Sequence, residues 1–168
     1  ATNMTAKELI AMGRYAWNGL FGRQTSADTE AIQRALELTH TEKFANQIVD
    51  TLSGGERSRI WLAMLLAQES QFLLLDEPLA ALDIAHQVEV MQLVHRLSRE
   101  LNLGVIIVIH DINLASRFCD HLVALHSGKL LAQGNAHNIV NTPSLQQIYG
   151  IELNVIEHPQ THRPVSFY

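Results

Sequence analysis

Three short clusters in this chain of 168 residues combine side chains that can bind phosphate, hold a metal ion and activate water. The first is Leu52-Ser53-Gly54-Gly55-Glu56. Ser53 and Glu56 have the S-x-x-E spacing of a capping box, which predicts a helix running on through Ile60, Trp61, Met64 and Leu65. Two glycines in its first turn leave backbone N–H groups uncovered by side chains. With the helix dipole behind them, these donors can approach a phosphate closely. The second cluster is Phe72-Leu73-Leu74-Leu75-Asp76-Glu77-Pro78, an apolar run expected to be a strand buried on both faces and ending in two carboxylates. Ligands of open α/β sheets bind beyond the carboxyl ends of the strands. Because neighbouring strand residues point to opposite faces, Asp76 and Glu77 are expected to do different work. One suits a hydrated Mg²⁺, the other the orientation or deprotonation of a water. The third cluster is Ile106-Ile107-Val108-Ile109-His110-Asp111, a second such strand end. It brings His110 out at the same sheet edge, where an imidazole can hydrogen-bond a terminal phosphate and an attacking water. Each cluster also has a plainer reading: a capped helix, a solvated strand end, a polar strand terminus.

The elements that carry these clusters follow from periodicity and punctuation. Thr5 to Met12 reads as a short helix, followed by an aromatic and glycine-rich stretch holding Tyr15, Trp17, Leu20 and Phe21. Those four are expected to form an interface or to pack inside a helical region. A helix over Thr29 to Leu38 is expected, capped by Ser26 or Asp28. Up to residue 70 the chain reads as all-helical. Ile84, Val88, Met91, Val94, Leu97 and Leu101 then recur at three- and four-residue steps, an amphipathic helix with Asp83 as its N-cap. Gly104 ends it, and Val105 to Ile109 is expected as the second buried strand. Strand, helix and strand from 72 to 109 make a parallel βαβ unit. Asp111 caps a helix through Phe118, and Ser127-Gly128 joins a hairpin of His121 to His126 and Lys129 to Gln133. Asn135 starts a short helix. Pro143 sits in the first turn of another, which stops at Gly150.

Composition narrows the class. With 47% hydrophobic and 17% charged residues, the chain is that of a folded globular domain. The net charge of −5 is dispersed and forms no basic stripe, which argues against nucleic acid as a partner. The nine His stand singly, and a spacing such as that of His158 and His162 is by itself a weak metal signal. One cysteine, Cys119, cannot form an internal disulfide, so a reducing compartment is expected.

Leu-Ser-Gly-Gly-Glu, Leu-Leu-Leu-Asp-Glu-Pro, Ala-Leu-Asp and Ile-His-Asp, in this order and spacing, resemble the signature, Walker B, D-loop and switch-histidine motifs of an ABC transporter ATPase subunit. Met4-Thr5, Glu8-Leu9, Gly13-Arg14-Tyr15, Ala81 to Gln87, His110 to Asn113 and Tyr149-Gly150-Ile151 narrow the resemblance to ATP-binding subunits of bacterial iron(III)-siderophore importers, especially the ferrichrome (hydroxamate) type. It extends from about Met4 to Tyr168. The resemblance implies an α/β fold, the C-terminal portion of a P-loop NTPase. Residues 1–70 would form the helical signature subdomain. Residues 71–168 would form a partial parallel sheet with flanking helices and a C-terminal hairpin. It implies that Ser53, Gly54, Gly55 and Glu56 contact ATP held by a second copy in a head-to-tail dimer. Asp76 would hold Mg²⁺ through water, with Glu77 as general base and His110 as sensor of the γ-phosphate. Asp83 would bridge the dimer interface. The expected partners are that second copy, a membrane permease and, indirectly, a siderophore-binding protein. The expected location is the cytoplasmic face of the bacterial inner membrane.

The chain departs from the family pattern in three places. Leu79 and Ala80 stand where many members have Thr-Ser, and Ser58 where Gln is usual. More consequentially, no G-x-x-x-x-G-K-[ST] sequence occurs, so the loop and lysine that cradle phosphates are missing. The resemblance therefore implies the C-terminal two thirds of a subunit, inactive by itself. Cobalamin and haem importers use related subunits and remain alternatives. ABC ATPases of chromosome maintenance, DNA repair and the ribosome fit less well. Ser53 and Asp76 lie too close for an intervening coiled coil, and neither basic linkers nor a second cassette is visible.

Overall fold

The computed structural model describes residues 3–19, 24–80 and 82–168. The chain divides into two compact units, Ala1–Val108 and Ile109–Tyr168.

The first unit opens with helices. In α1 (Ala6–Met12), the Thr5 N–H donates to Glu8 Oε2 at 2.7 Å and the Glu8 N–H to Thr5 Oγ1 at 3.3 Å, a capping box. A single turn, α2 (Tyr15–Asn18), follows, then α3 (Ser26–Thr39). The expected start of α3 at Thr29 is corrected. Thr25 is the cap, because Thr25 and Asp28 satisfy each other's backbone N–H groups at 2.8 and 3.3 Å. Two 3₁₀ turns, Glu42–Phe44 and Val49–Thr51, lead into α4 (Gly54–Ala67). Ile10, Ile32, Leu36, Phe44, Ile60 and Ala63 form the core of this helical part.

Next come β1 (Phe72–Asp76), α5 (Ile84–Glu100) and β2 (Gly104–Val108). β1 and β2 pair in parallel, with Phe72 opposite Gly104 and Asp76 opposite Val108, so the expected βαβ unit is present. Its expected burial on both faces is not. Leu73 and Leu75 are buried, but Phe72 and Leu74 are 67% and 72% exposed, and Ile106 and Val108 are 64% and 45% exposed. Continuous apolarity prepares a strand for two covering layers; among the described residues only one face is covered.

The second unit holds α6 (Ile112–Phe118) and a hairpin of β3 (Leu122–His126) and β4 (Lys129–Gly134). Ser127 and Gly128 both have positive φ, the backbone of a two-residue type I′ turn. Helices α7 (Ala136–Ile139) and α8 (Thr142–Tyr149) follow, the latter ending in the left-handed Gly150 as expected. A second hairpin, β5 (Asn154–Glu157) and β6 (Pro164–Phe167), closes the chain. Leu122, Ile139, Val140, Leu145 and Leu153 make this unit's core. No helix among the described residues is long and apolar enough to cross a membrane.

Candidate functional site

The start of α4 is built as its sequence demands. Ser53 is the N-cap; its N–H donates to Glu56 Oε2 at 2.9 Å, and the Glu56 N–H donates to Ser53 Oγ at 3.3 Å. The Ser53 backbone N–H first, then its hydroxyl, holds the Glu56 carboxyl below its ordinary range. The first N–H groups of a helix have no intrahelical acceptor, and here the box satisfies that of Glu56. Ser53 is exposed. Ser58 donates its hydroxyl to the Gly54 carbonyl at 3.0 Å, one turn back.

Gly55 is buried against the ring of His86, leaving no room for a side chain. His86 is in turn held by Asp83, the N-cap of α5. Its backbone N–H donates to Asp83 Oδ1 at 2.9 Å, and its Nδ1 lies 2.8 Å from the same oxygen. The His86 N–H, followed by the ring, lowers the Asp83 carboxyl below its usual value. Gln87 steadies the same loop, with its Nε2 donating to the carbonyls of Leu82 and Leu79 at 3.1 and 3.4 Å. Arg59 on α4 and Glu89 on α5 form an ion pair. The signature helix and the D-loop helix are thus fastened to one another. Sequence reading assigned Asp83 correctly as a cap but missed the roles of His86 and Gln87, which arise only from packing.

Asp76 ends β1 and is exposed. Glu77, also exposed, is not a strand residue: its φ is +46°, in the left-handed region. The backbone turns at Glu77, so strand alternation does not set the relation of the two carboxylates. The Ala80 N–H closes that turn on the Glu77 carbonyl at 3.1 Å. An exposed carboxylate at a strand end is the hard oxygen donor that a largely hydrated Mg²⁺ accepts, so Asp76 fits the ion. His110 is exposed and belongs to the second unit, one residue before Asp111, the cap of α6. No cluster of three or more metal-ligating side chains occurs among the described residues.

The aromatic stretch resolves in part. Tyr15 and Trp17 are 52% and 62% exposed, while Leu20 and Phe21 lie outside the described residues, as does Ala81 of the D-loop. Trp17 donates its indole N–H to the Gln68 carbonyl at 2.9 Å, with the Arg14 guanidinium 5.2 Å above its ring. Arg14 is itself buried. Its Nε pairs with Asp28 at 2.8 Å, and its Nη1 reaches the Ala67 carbonyl at 2.8 Å and Glu69 at 2.7 Å. This pair crosses from the loop after α1 to α3 and the end of α4.

A capped glycine-rich helix start, a βαβ unit whose first strand ends in two acids, and a histidine after its second strand together resemble an ATP-binding cassette. The model of the family described as ABC transporter matches residues 2–80, a little under half of the chain. Nucleotide binding is a property of that family. Among particular relatives, the ferric enterobactin transport ATP-binding protein FepC of Escherichia coli is 43% identical over 97% of this chain and 60% of its own length. The iron(3+)-hydroxamate import ATP-binding protein FhuC of Bacillus subtilis is 39% identical over 98% of this chain and 61% of its own. A solved ABC transporter described as of metal-chelate type superposes with a TM-score of 0.89 at 25% identity, over 99% of this chain and 68% of its own. The chain thus spans about 60% of the length of the curated relatives it matches.

Proposed function

We propose that these residues serve an ATP-hydrolysing subunit that powers import of an iron(III)-siderophore, of the hydroxamate type, through a membrane permease. The observation that carries this reading is the fastening of the signature helix to the D-loop helix, Gly55 on His86 on Asp83. It gives the exposed Ser53 and the N–H groups of Gly54 and Gly55 a fixed direction from which to grip a nucleotide held by a second copy. Preorganised donors of this kind act where charge develops in phosphoryl transfer. Residues 1–70 serve as the signature subdomain and residues 71–168 as part of the ATPase core. A siderophore-binding protein acts upstream of the permease, and the subunit works at the cytoplasmic face of the inner membrane.

Within that assembly Asp76 would hold Mg²⁺ through water, and the ion would supply charge neutralisation at the phosphoryl oxygens. Glu77 takes the proton of the attacking water, and His110 donates a hydrogen bond to the γ-phosphoryl group. Glu56 stays ionised through its cap and keeps the helix start rigid. Asp83, at the head of α5, meets the second copy.

The test uses a subunit that includes a phosphate loop. Glu77→Gln keeps ATP binding and loses turnover, trapping a closed dimer, whereas Asp76→Asn weakens Mg·ATP binding itself. Equal ATPase rates for wild type and Glu77→Gln would sink the role of Glu77. Uptake of radiolabelled iron supplied as a hydroxamate complex, absent without the subunit, tests the cargo.

A further inference from the structure

We propose that the β5–β6 hairpin is a latch that positions His110 through Asn113 and Ser166. Asn113 lies in the first turn of α6, and its side chain makes three hydrogen bonds to one residue of β6. Asn113 Nδ2 donates to the Ser166 carbonyl at 3.0 Å; the Ser166 N–H and hydroxyl donate to Asn113 Oδ1 at 2.8 and 3.2 Å. Ser166 is buried. Two further bonds join the same elements: the buried Ser116 donates its hydroxyl to the Pro164 carbonyl at 2.7 Å, and Arg163 Nη1 donates to the Ser116 carbonyl at 3.2 Å. The other end of the connection is the cap of α6. The backbone N–H groups of Asn113 and Leu114 donate to Asp111 Oδ1 at 2.8 and 3.0 Å. Asn113 therefore clasps the hairpin with its side chain and Asp111 with its main chain, and Asp111 is bonded directly to His110.

α6 is only seven residues long, too short to hold itself by helix formation alone. Its orientation rests on what it is tied to, and five side-chain hydrogen bonds tie it to the hairpin. Asn113 and Ser166 are positioning residues: they fix the start of the helix, and with it the backbone from which His110 projects. That consequence for turnover rests on the role given to His110 above; the latch itself does not.

Hydrogen–deuterium exchange on residues 1–168 tests the latch. Asn113→Leu removes all three bonds at similar volume. Amides of 112–118 are expected to exchange about tenfold faster or more, while those of 142–149 keep the wild-type rate. Ser166→Ala keeps both backbone bonds, so its exchange stays near wild type. Unchanged exchange over 112–118, or an equal rise over 142–149, overturns the proposal. Should Asn113→Leu not fold, Ser116→Ala removes the 2.7 Å bond to the Pro164 carbonyl, leaving that acceptor unpaired by Ser116. Exchange over 112–118 is then expected to rise by a smaller factor with 142–149 unchanged; no rise overturns the proposal. In a subunit that includes a phosphate loop, Asn113→Leu lowers turnover with KM for ATP unchanged, and lowers it no further once His110 is alanine. An undiminished loss in that background makes Asn113 merely structural. If His110→Ala alone leaves turnover intact, the role of His110 fails and the exchange result stands.

Discussion

The imidazole of His86 occupies the space that a side chain at Gly55 would need: a Cβ there would lie 2.2 Å from His86 Cδ2. This contact fixes the signature helix against the helix that follows the D-loop. Gly55→Ala forces the two apart and is expected to cost about 1–3 kcal/mol, as overpacked sites do. In a His86→Ala background the clash is gone and the cost shrinks, a non-additive pair in urea denaturation. Strict additivity would show that Gly55 and His86 do not meet.

Arg14 and Asp28 form the buried ion pair of the helical part, with side chains 7% and 2% exposed. Removing one partner strands the other, so Arg14→Ala should lose about 3 kcal/mol or more in chemical denaturation at neutral pH. Asp28 also accepts from the Thr25 N–H, the Thr25 hydroxyl and Asn18, and these with Arg14 hold its carboxyl far below the usual carboxylate range. A depressed folded-state value stabilises the fold above the unfolded value, about 4, and that stability is lost as pH falls towards the folded one. Wild type should therefore lose stability below about pH 4 more steeply than Asp28→Asn. Parallel acid limbs would refute the assignment.

Tyr15 and Trp17 expose aromatic surface, though the indole N–H of Trp17 is tied to the end of α4 and Arg14 lies over its ring. Aromatic anchors of this kind favour interfaces. Replacing both with alanine should lower transport while the ATPase activity of the separated subunit persists. A parallel fall of both activities would assign the two residues to folding instead.

Phe72, Leu74, Ile106 and Val108 present an apolar face on a two-stranded sheet whose outer edges are unpaired among the described residues. Such a surface invites pairing with another chain. Residues 1–168 are expected to self-associate in light scattering, and Leu74→Lys with Ile106→Lys should shift them towards monomer. A stable wild-type monomer would contradict this.

What the sequence made legible was local chemistry with one reading. The box at Ser53, the caps at Asp83, Asp111 and Asn135, and the Pro143–Gly150 helix all stand where spacing put them. Thr25 was missed because Thr25, Ser26 and Asp28 are all good caps, and choosing among them needs the helix that follows to be packed. The exposed face of β1 was missed because an unbroken apolar run does not say how many layers cover it. His86 on Gly55 and Asn113 on Ser166 join residues 31 and 53 positions apart, and no periodicity reports such contacts.

The left-handed backbone at Glu77 bears on protein engineering. A non-glycine residue held there costs on the order of 1–3 kcal/mol, and glycine at the same φ escapes most of that cost. A library screened only for heat resistance would drift towards glycine at position 77, gaining melting temperature as it discards the carboxylate. Given the role proposed for Glu77, directed evolution has to select on turnover in every round, because at this position ruggedness and work would pull in opposite directions.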